Sequence, residues 1–293
     1  MESLLEPLSF AFFQKGLFVA SLSGALLGFI GVFIVLRGMS YIGHGLSHSI
    51  FGGFAAAQLF AAQFYLLGAG LWGIASALAI TSVAKRSRVG ADAAIGVITT
   101  ASFALGVALF AKFGTSGPAF ENALFGSILG ISVTQMVGLS AISVIAGLFV
   151  FFRYRALLFT TFDPEVADVS GVKVGRTDAY LMIILSLSIL ATLTVVGVTL
   201  VAAMLVIPAV VARMLTDSFP RMLLLSTIVG TLSGLIGMYL SYYAGVPSGT
   251  MIVLVGAAVF AVVLAITGGR GLRRSAGLDA HVEAMAQPAV AGR

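Results

Sequence analysis

Charged side chains are scarce in this sequence, and cysteine is absent. Lys, Arg, Asp and Glu together make up 9% of the 293 residues, whereas a soluble domain usually carries about a quarter. Hydrophobic residues make up 59%, which is more apolar surface than a water-soluble fold can hide. The shortage of charge therefore excludes a soluble protein and predicts one embedded in lipid. The lack of cysteine excludes a disulfide framework and any thiolate metal site.

Two further absences limit the chemistry. None of the 11 acidic residues falls in the middle of an apolar run, so a carboxylate proton relay of the secondary-transporter kind has no evident carrier. The sequence also has no GxxxxGK[ST] phosphate-binding loop. We therefore expect no catalytic residues in this chain and no ATP hydrolysis by it.

Apolar runs long enough to cross a bilayer, about 20 residues each, recur along the chain. Nine are present, but the junctions near Gly68 and Gly197 are weak, so eight helices remain an alternative. The sequence predicts an all-α, polytopic helix bundle forming one domain over 1–293, embedded between about 16 and 267, with a short polar tail at 268–293. We expect the first run to be a retained helix rather than a signal peptide. The runs are 17–36, 44–66, 68–84, 93–112, 124–152, 179–197, 199–215, 222–244 and 249–267.

The distribution of basic residues predicts the orientation, because Lys and Arg concentrate in cytoplasmic loops. With nine helices and an outside N-terminus, only Lys15 and Lys112 of the 16 basic residues fall outside the cell, which leaves 14 on the cytoplasmic side. We therefore expect a cytoplasmic C-terminus. Topology also accounts for the net charge of +5, so we expect no nucleic-acid partner.

Two histidines stand four residues apart at the start of an apolar run. His44 and His48 belong to GHGLSHS at 43–49, and residues at i and i+4 lie on one face of a helix. Both imidazoles can thus contact one ion, and imidazole suits zinc and other first-row metals. The alternative is that they cap carbonyls or lie among the lipid headgroups. Two imidazoles also leave a metal shell incomplete, so water, carbonyls or another helix would supply the remaining ligands.

The longest polar interruption, 153–178, contains a second local pattern. Asp163 can cap a short helix that has Pro164 at its first position, and Gly171 can end it. This predicts an amphipathic helix on the cytoplasmic face, containing Glu165 and presenting its apolar contacts to a partner protein. The alternative is a loop that merely folded. The apolar contacts are Phe162, Val166 and Val169.

The long apolar stretch 196–213 contains two helix breakers, Gly197 and Pro208. Broken helices at membrane depth are tolerated where they are buried in protein or line a cavity. The pattern predicts an interrupted helix that lines a pathway, and a plain kink is the alternative.

These segments together resemble the membrane permeases of ABC importers for manganese, zinc and iron. That family is the metal branch of a larger group that includes the vitamin and siderophore importers. The similar segments extend over roughly residues 24–265. They are VLRGMS at 35–40 leading to Ser47 and His48, NALFGSIL at 122–129, FDPE at 162–165 through Gly171, the stretch 196–213, and PSG at 247–249.

The resemblance implies a homodimeric permease in a bacterial plasma membrane. Two copies would enclose a central pathway, two cytoplasmic ATPase subunits would dock beneath them, and an extracellular metal-binding protein would deliver the ion. The helix after Asp163 would be the ATPase-coupling helix, and His44 and His48 would occupy the place of the metal-contacting pair. No cofactor would be bound permanently, and the cargo would be a divalent ion, zinc or manganese, with iron as a further candidate.

This chain departs from the family pattern at one of those positions. Relatives usually have aspartate at the first position of the pair, where this chain has His44. The change removes a negative charge, and imidazole suits zinc more readily than manganese, which favours oxygen ligands. The sequence thus favours zinc. The competing hypotheses are a vitamin or siderophore permease, an ion-gradient-driven carrier working alone, and a non-transporting membrane scaffold.

Overall fold

The structure is a computed structural model that describes residues 6–60, 65–86, 90–113 and 131–286. After a short 3-10 helix at Glu6–Ser9, the described chain consists of helices and their connections. The α-helices are α1 (Ala11–Leu36), α2 (Ile42–Phe60), α3 (Tyr65–Arg86), α4 (Ala91–Phe113), α5 (Val133–Phe162), α6 (Pro164–Val169), α7 (Val174–Val196), α8 (Val198–Leu215), α9 (Phe219–Ala244) and α10 (Ser248–Ala286).

The all-α fold predicted from the sequence is confirmed. Apart from the six-residue α6, the ranges that the structure describes contain nine α-helices, each overlapping one of the nine apolar runs. Seven of them are long and apolar enough to span a membrane, while α2 and α8 fall outside that group. The choice between eight and nine membrane crossings stays a prediction, because residues 61–64, between α2 and α3, lie outside the described residues.

Several predicted boundaries were wrong. Gly68 lies inside α3 rather than at a junction, because the missing side chain allows α3 to approach Ala57 of α2. The polar interruption is also shorter than predicted, since α5 continues to Phe162 and α7 already begins at Val174. Charged residues such as Arg153 are good helix formers, so a helix need not end where the apolar run ends. At the other end of the chain, α10 continues past the apolar run to Ala286.

The predicted break at Gly197 is present, but Pro208 does not interrupt its helix. Gly197 adopts φ 85° and ψ 152°, a conformation that only glycine adopts easily, and it separates α7 from α8. Pro208 lies within the continuous α8. Neighbouring helices make such a proline tolerable, and here Pro208 packs against Gly28 of α1.

Helix α1 organises one side of the bundle. It contacts α5, α7, α8 and α9. At Gly24 and Gly230 the backbones of α1 and α9 touch, so neither position has room for a Cβ. Small residues let helices in lipid approach this closely. Helix α2 packs on α3, α4, α7 and α8, so α7 and α8 join the two sides.

Candidate functional site

The two histidines predicted to face one ion lie side by side on α2. The ring centroids of His44 and His48 are 4.5 Å apart, and the ring planes are inclined by 70°. Both side chains are half-buried. Tyr41 approaches the ring of His44 at 5.5 Å, and Phe103 of α4 approaches that of His48 at 5.0 Å. The two imidazoles thus form one accessible nitrogen-bearing surface with aromatic rings on either side.

Close packing between α2 and α4 holds this surface in place. Gly45 lies against Ile95 and Thr99 of α4, and Gly52 lies against the backbone of Ser102 and Phe103. Any larger residue at Gly45 or Gly52 would push α4 away, and Phe103 with it. The glycines around the histidines therefore set the distance between α2 and α4.

A serine between the two histidines connects them to the break between α7 and α8. The hydroxyl of Ser47 is within hydrogen-bonding distance of the carbonyl oxygens of His44 (2.8 Å) and Val198 (3.0 Å). Val198 directly follows Gly197, where the helix has been interrupted. The histidine pair and the broken helix, two separate patterns in the sequence, therefore meet at one place in the fold.

A buried hydroxyl cluster lies beside the histidine pair. The Ser49 hydroxyl is 2.6 Å from that of Ser76 on α3 and 2.7 Å from that of Ser102 on α4, and the indole of Trp72 donates to Ser102. This cluster was not predictable from the sequence, because its members come from three helices and no local spacing connects them. It joins α3 and α4 to the residue directly after His48.

Within the described part of the chain, the two imidazoles are not joined by a third metal ligand of the usual kind. Among the residues that the structure describes, no group of three or more His, Cys, Asp or Glu side chains is placed to hold a metal ion. A sparse site of this kind suits an ion that must leave again, because water and carbonyl oxygens can complete its shell without holding it tightly.

The short helix predicted after Asp163 is present as α6. The Asp163 carboxylate accepts a 2.9 Å hydrogen bond from the backbone N–H of Val166, and Pro164 occupies the first turn. Gly171, with φ 82°, provides the left-handed residue that follows the helix. Ala167 is buried against the bundle, whereas Val169 is 87% exposed. Phe162 and Val166 are exposed as well, so the apolar side chains expected to face a partner do point outward.

One buried ion pair near α6 was not predicted from the sequence. Arg37, just after α1, donates at 2.7 Å to the carboxylate of Asp178 on α7, and the two side chains are 9% and 13% exposed. The same guanidinium donates to the hydroxyls of Thr160 and Thr161 at the end of α5. The group therefore ties α1 to both helices that flank α6. The segment NALFGSIL at 122–129 lies outside the described residues.

Comparison with known proteins gives a consistent result. The model of the ABC 3 transport family matches residues 9–267. The chain is 40% identical over 256 residues to a manganese transport system membrane protein, MntC, of Halalkalibacterium halodurans, covering 87% of each chain. It is 35% identical to a probable iron transport system membrane protein of Haemophilus influenzae, covering 89% of this chain and 96% of the relative.

A solved structure matches the fold over a similar extent. A chain of PsaBC from Streptococcus pneumoniae, in complex with a Fab, superposes with a TM-score of 0.80 at 30% identity. The match covers 90% of this chain and 95% of that one.

Proposed function

The chain belongs to the ABC 3 transport family, and on that premise we propose that it is the membrane-spanning permease of an ATP-driven importer for a divalent transition metal ion. One observation carries the proposal: His44 and His48 form an adjacent pair beside the break between α7 and α8. Paired imidazoles are suitable ligands for first-row metals. Broken helices in membrane transporters commonly line the substrate path.

Two observations favour different metals as the cargo. The relatives named above are described as manganese and iron transport proteins, which favours one of those ions. The residue at position 44 favours zinc, because imidazole is a softer ligand than the aspartate usual in the family. We place manganese first, since relatives across nearly the whole chain share that description, and zinc second.

The partners follow from the same proposal. Two copies of the chain form the pathway, and two cytoplasmic ATPase subunits supply the energy. An extracellular metal-binding protein delivers the ion. In support, the exposed apolar side chains of α6 provide a small surface for docking a cytoplasmic protein. With the N-terminus outside and the C-terminus in the cytoplasm, α6 faces the ATPase subunits. When the distance between the two ATPase subunits changes, α6 transmits the motion to α5 and α7, and the ion passes His44 and His48.

Uptake into proteoliposomes tests the proposal. The chain is reconstituted with the ATPase that co-purifies with it and with the metal-binding protein, and labelled manganese and zinc compete for entry. We expect uptake to require ATP, and we expect one of the two metals to be taken up in preference to the other. Metal flux without ATP would instead favour a carrier working alone, and the absence of flux for either ion would argue against metal as the cargo.

Val169→Asp tests the docking role of α6. An unpaired carboxylate within an apolar contact costs about 2 kcal/mol, or roughly 30-fold in docking affinity. We expect much weaker ATPase co-purification and loss of ATP-driven uptake, with an unchanged elution volume for the permease alone. Val133→Asp is the matched control, since it makes the same substitution at a 62% exposed valine at the opposite end of α5 from α6. Equal co-purification of the Val169→Asp variant and the control would remove α6 from the interface.

A further inference from the structure

A basic groove lies beside α6, away from the histidine pair. It has a volume of about 480 Å³ and opens between the end of α5 and the start of α7. Arg153, Lys173, Arg176 and Tyr180 contribute to its lining, together with the turn at Gly171. Among the described residues that line it, none is acidic. Three positive charges therefore share one concave surface.

The groove continues into an exposed apolar wall on α5. The guanidinium of Arg153 lies over the ring of Tyr180, 5.9 Å from its centroid, and Phe149 meets the same ring edge-on at 6.5 Å. Phe152, next to Arg153 on α5, is 75% exposed, and Ile145 is exposed two helical turns earlier. An apolar wall that ends in Tyr and Arg is typical of the boundary between the hydrocarbon region and the headgroups.

We propose that this groove binds the phosphate of an anionic phospholipid headgroup, with the acyl chains lying along the exposed wall of α5. Arginine and lysine are the usual side chains for binding phosphate. Basic pockets between transmembrane helices on the cytoplasmic side bind acidic headgroups. The placement in the cytoplasmic leaflet rests on the orientation given under the proposed function.

The position of the groove indicates what the lipid does. Arg153 belongs to α5, whereas Arg176 and Tyr180 belong to α7. These are the two helices that hold α6 between them. A headgroup bound to both would fix their spacing at a second place, in addition to the contacts that Arg37 makes with them. The lipid is thus a structural ligand of the segment that carries α6.

The acyl chains distinguish a phospholipid from the two other candidate ligands, a soluble anion and an acidic protein segment. A free phosphate would contact only the three cations of the groove. An acidic protein segment would pair with the same cations but would leave the exposed side chains of Phe152 and Ile145 uncovered. A phospholipid would contact both, with its phosphate in the basic groove and its acyl chains along the apolar wall. This combination favours the lipid over either alternative.

Native mass spectrometry of the purified full-length chain tests the proposal. The chain is released from detergent after titration with cardiolipin, with phosphatidylglycerol or with phosphatidylcholine as the neutral comparison. We expect an anionic lipid to be retained that phosphatidylcholine does not replace. Arg153→Gln/Arg176→Gln should weaken its retention roughly tenfold or more. Arg213→Gln/Arg221→Gln is the matched control, since it removes the same charge at two exposed positions outside the groove.

Three results would overturn the lipid assignment. Equal retention by the groove variant and the control would show that the groove does not hold the lipid. Displacement of the lipid by millimolar inorganic phosphate would indicate a soluble anion. Unchanged lipid retention with lost ATPase co-purification would indicate a protein partner. Elution volume checks folding, and Lys173→Gln provides a second, milder variant. Because the assay uses neither ATP nor metal, its failure is distinct from failure of the transport proposal.

Discussion

Replacement of both histidines, His44→Ala/His48→Ala, is expected to abolish metal uptake while the chain still folds. The two rings form one surface, with centroids 4.5 Å apart, so removing both leaves the passing ion without its nitrogen contacts. Loss of even an outer-shell partner typically costs about 10–100-fold in metal affinity or activity. We expect the loss here to be at least that large. The measurement is ATP-driven uptake of labelled metal in proteoliposomes.

The third histidine provides the matched control. His281 lies beyond the last apolar run of the sequence, so His281→Ala removes an imidazole without touching the pair. It should transport like the parent chain. His48 packs against Phe103, so its removal leaves a small void, and elution volume must show that both variants remain folded. Undiminished uptake by the double variant would remove the pair from the pathway.

Substitution at position 44 alone tests the argument about cargo. His44→Asp restores the residue usual in the family and adds an oxygen ligand with a negative charge. We expect uptake to persist and the uptake of manganese relative to zinc to rise, because manganese favours oxygen ligands. An unchanged zinc-to-manganese ratio would show that residue 44 does not select the metal.

The sequence predicted most of the helices because hydropathy depends on local composition. Nine apolar runs correspond to nine helices within the described residues. The cap at Asp163 and the left-handed Gly171 were also predictable, since each depends on a few neighbouring residues. At two of the positions where the prediction failed, the residue is a glycine or a proline. Gly68 allows α3 to approach Ala57, and Pro208 fits against Gly28, and both outcomes depend on another helix.

The contacts that complete the site were not predictable from local patterns. Ser47 bonds to a carbonyl 151 residues away, and Arg37 pairs with a carboxylate 141 residues away. In the sequence, Arg37 was one of the basic residues that predicted a cytoplasmic loop, and Asp178 was the last residue of the polar interruption 153–178. No spacing rule connects residues so far apart, and only the packing of α1 against α5 and α7 brings these charges together.

The Arg37–Asp178 pair is expected to give the largest effect on stability. Removing one partner of a buried ion pair takes the nearest opposite charge away from the other and costs about 3–5 kcal/mol. Arg37→Met should therefore strongly destabilise the chain, because it also removes the bonds to Thr160 and Thr161. The measurement is the thermal unfolding midpoint of the purified chain in detergent. Arg221→Met, at an exposed position, should stay within about 0.5 kcal/mol of the parent.

A double substitution separates two contributions to the loss of stability: the charge left on Asp178 and the packing lost with the Arg37 side chain. Arg37→Met/Asp178→Leu replaces the pair by apolar side chains, which is often neutral once both charges are gone. We expect the double variant to recover most of the stability that Arg37→Met loses. If it does, the pair contributes little net stability, and its role is to set how α1 meets the two helices that flank α6. A double variant no more stable than the single one would show instead that the hydrogen bonds to α5 provide the stabilisation, and Thr160→Val/Thr161→Val should then reproduce the loss.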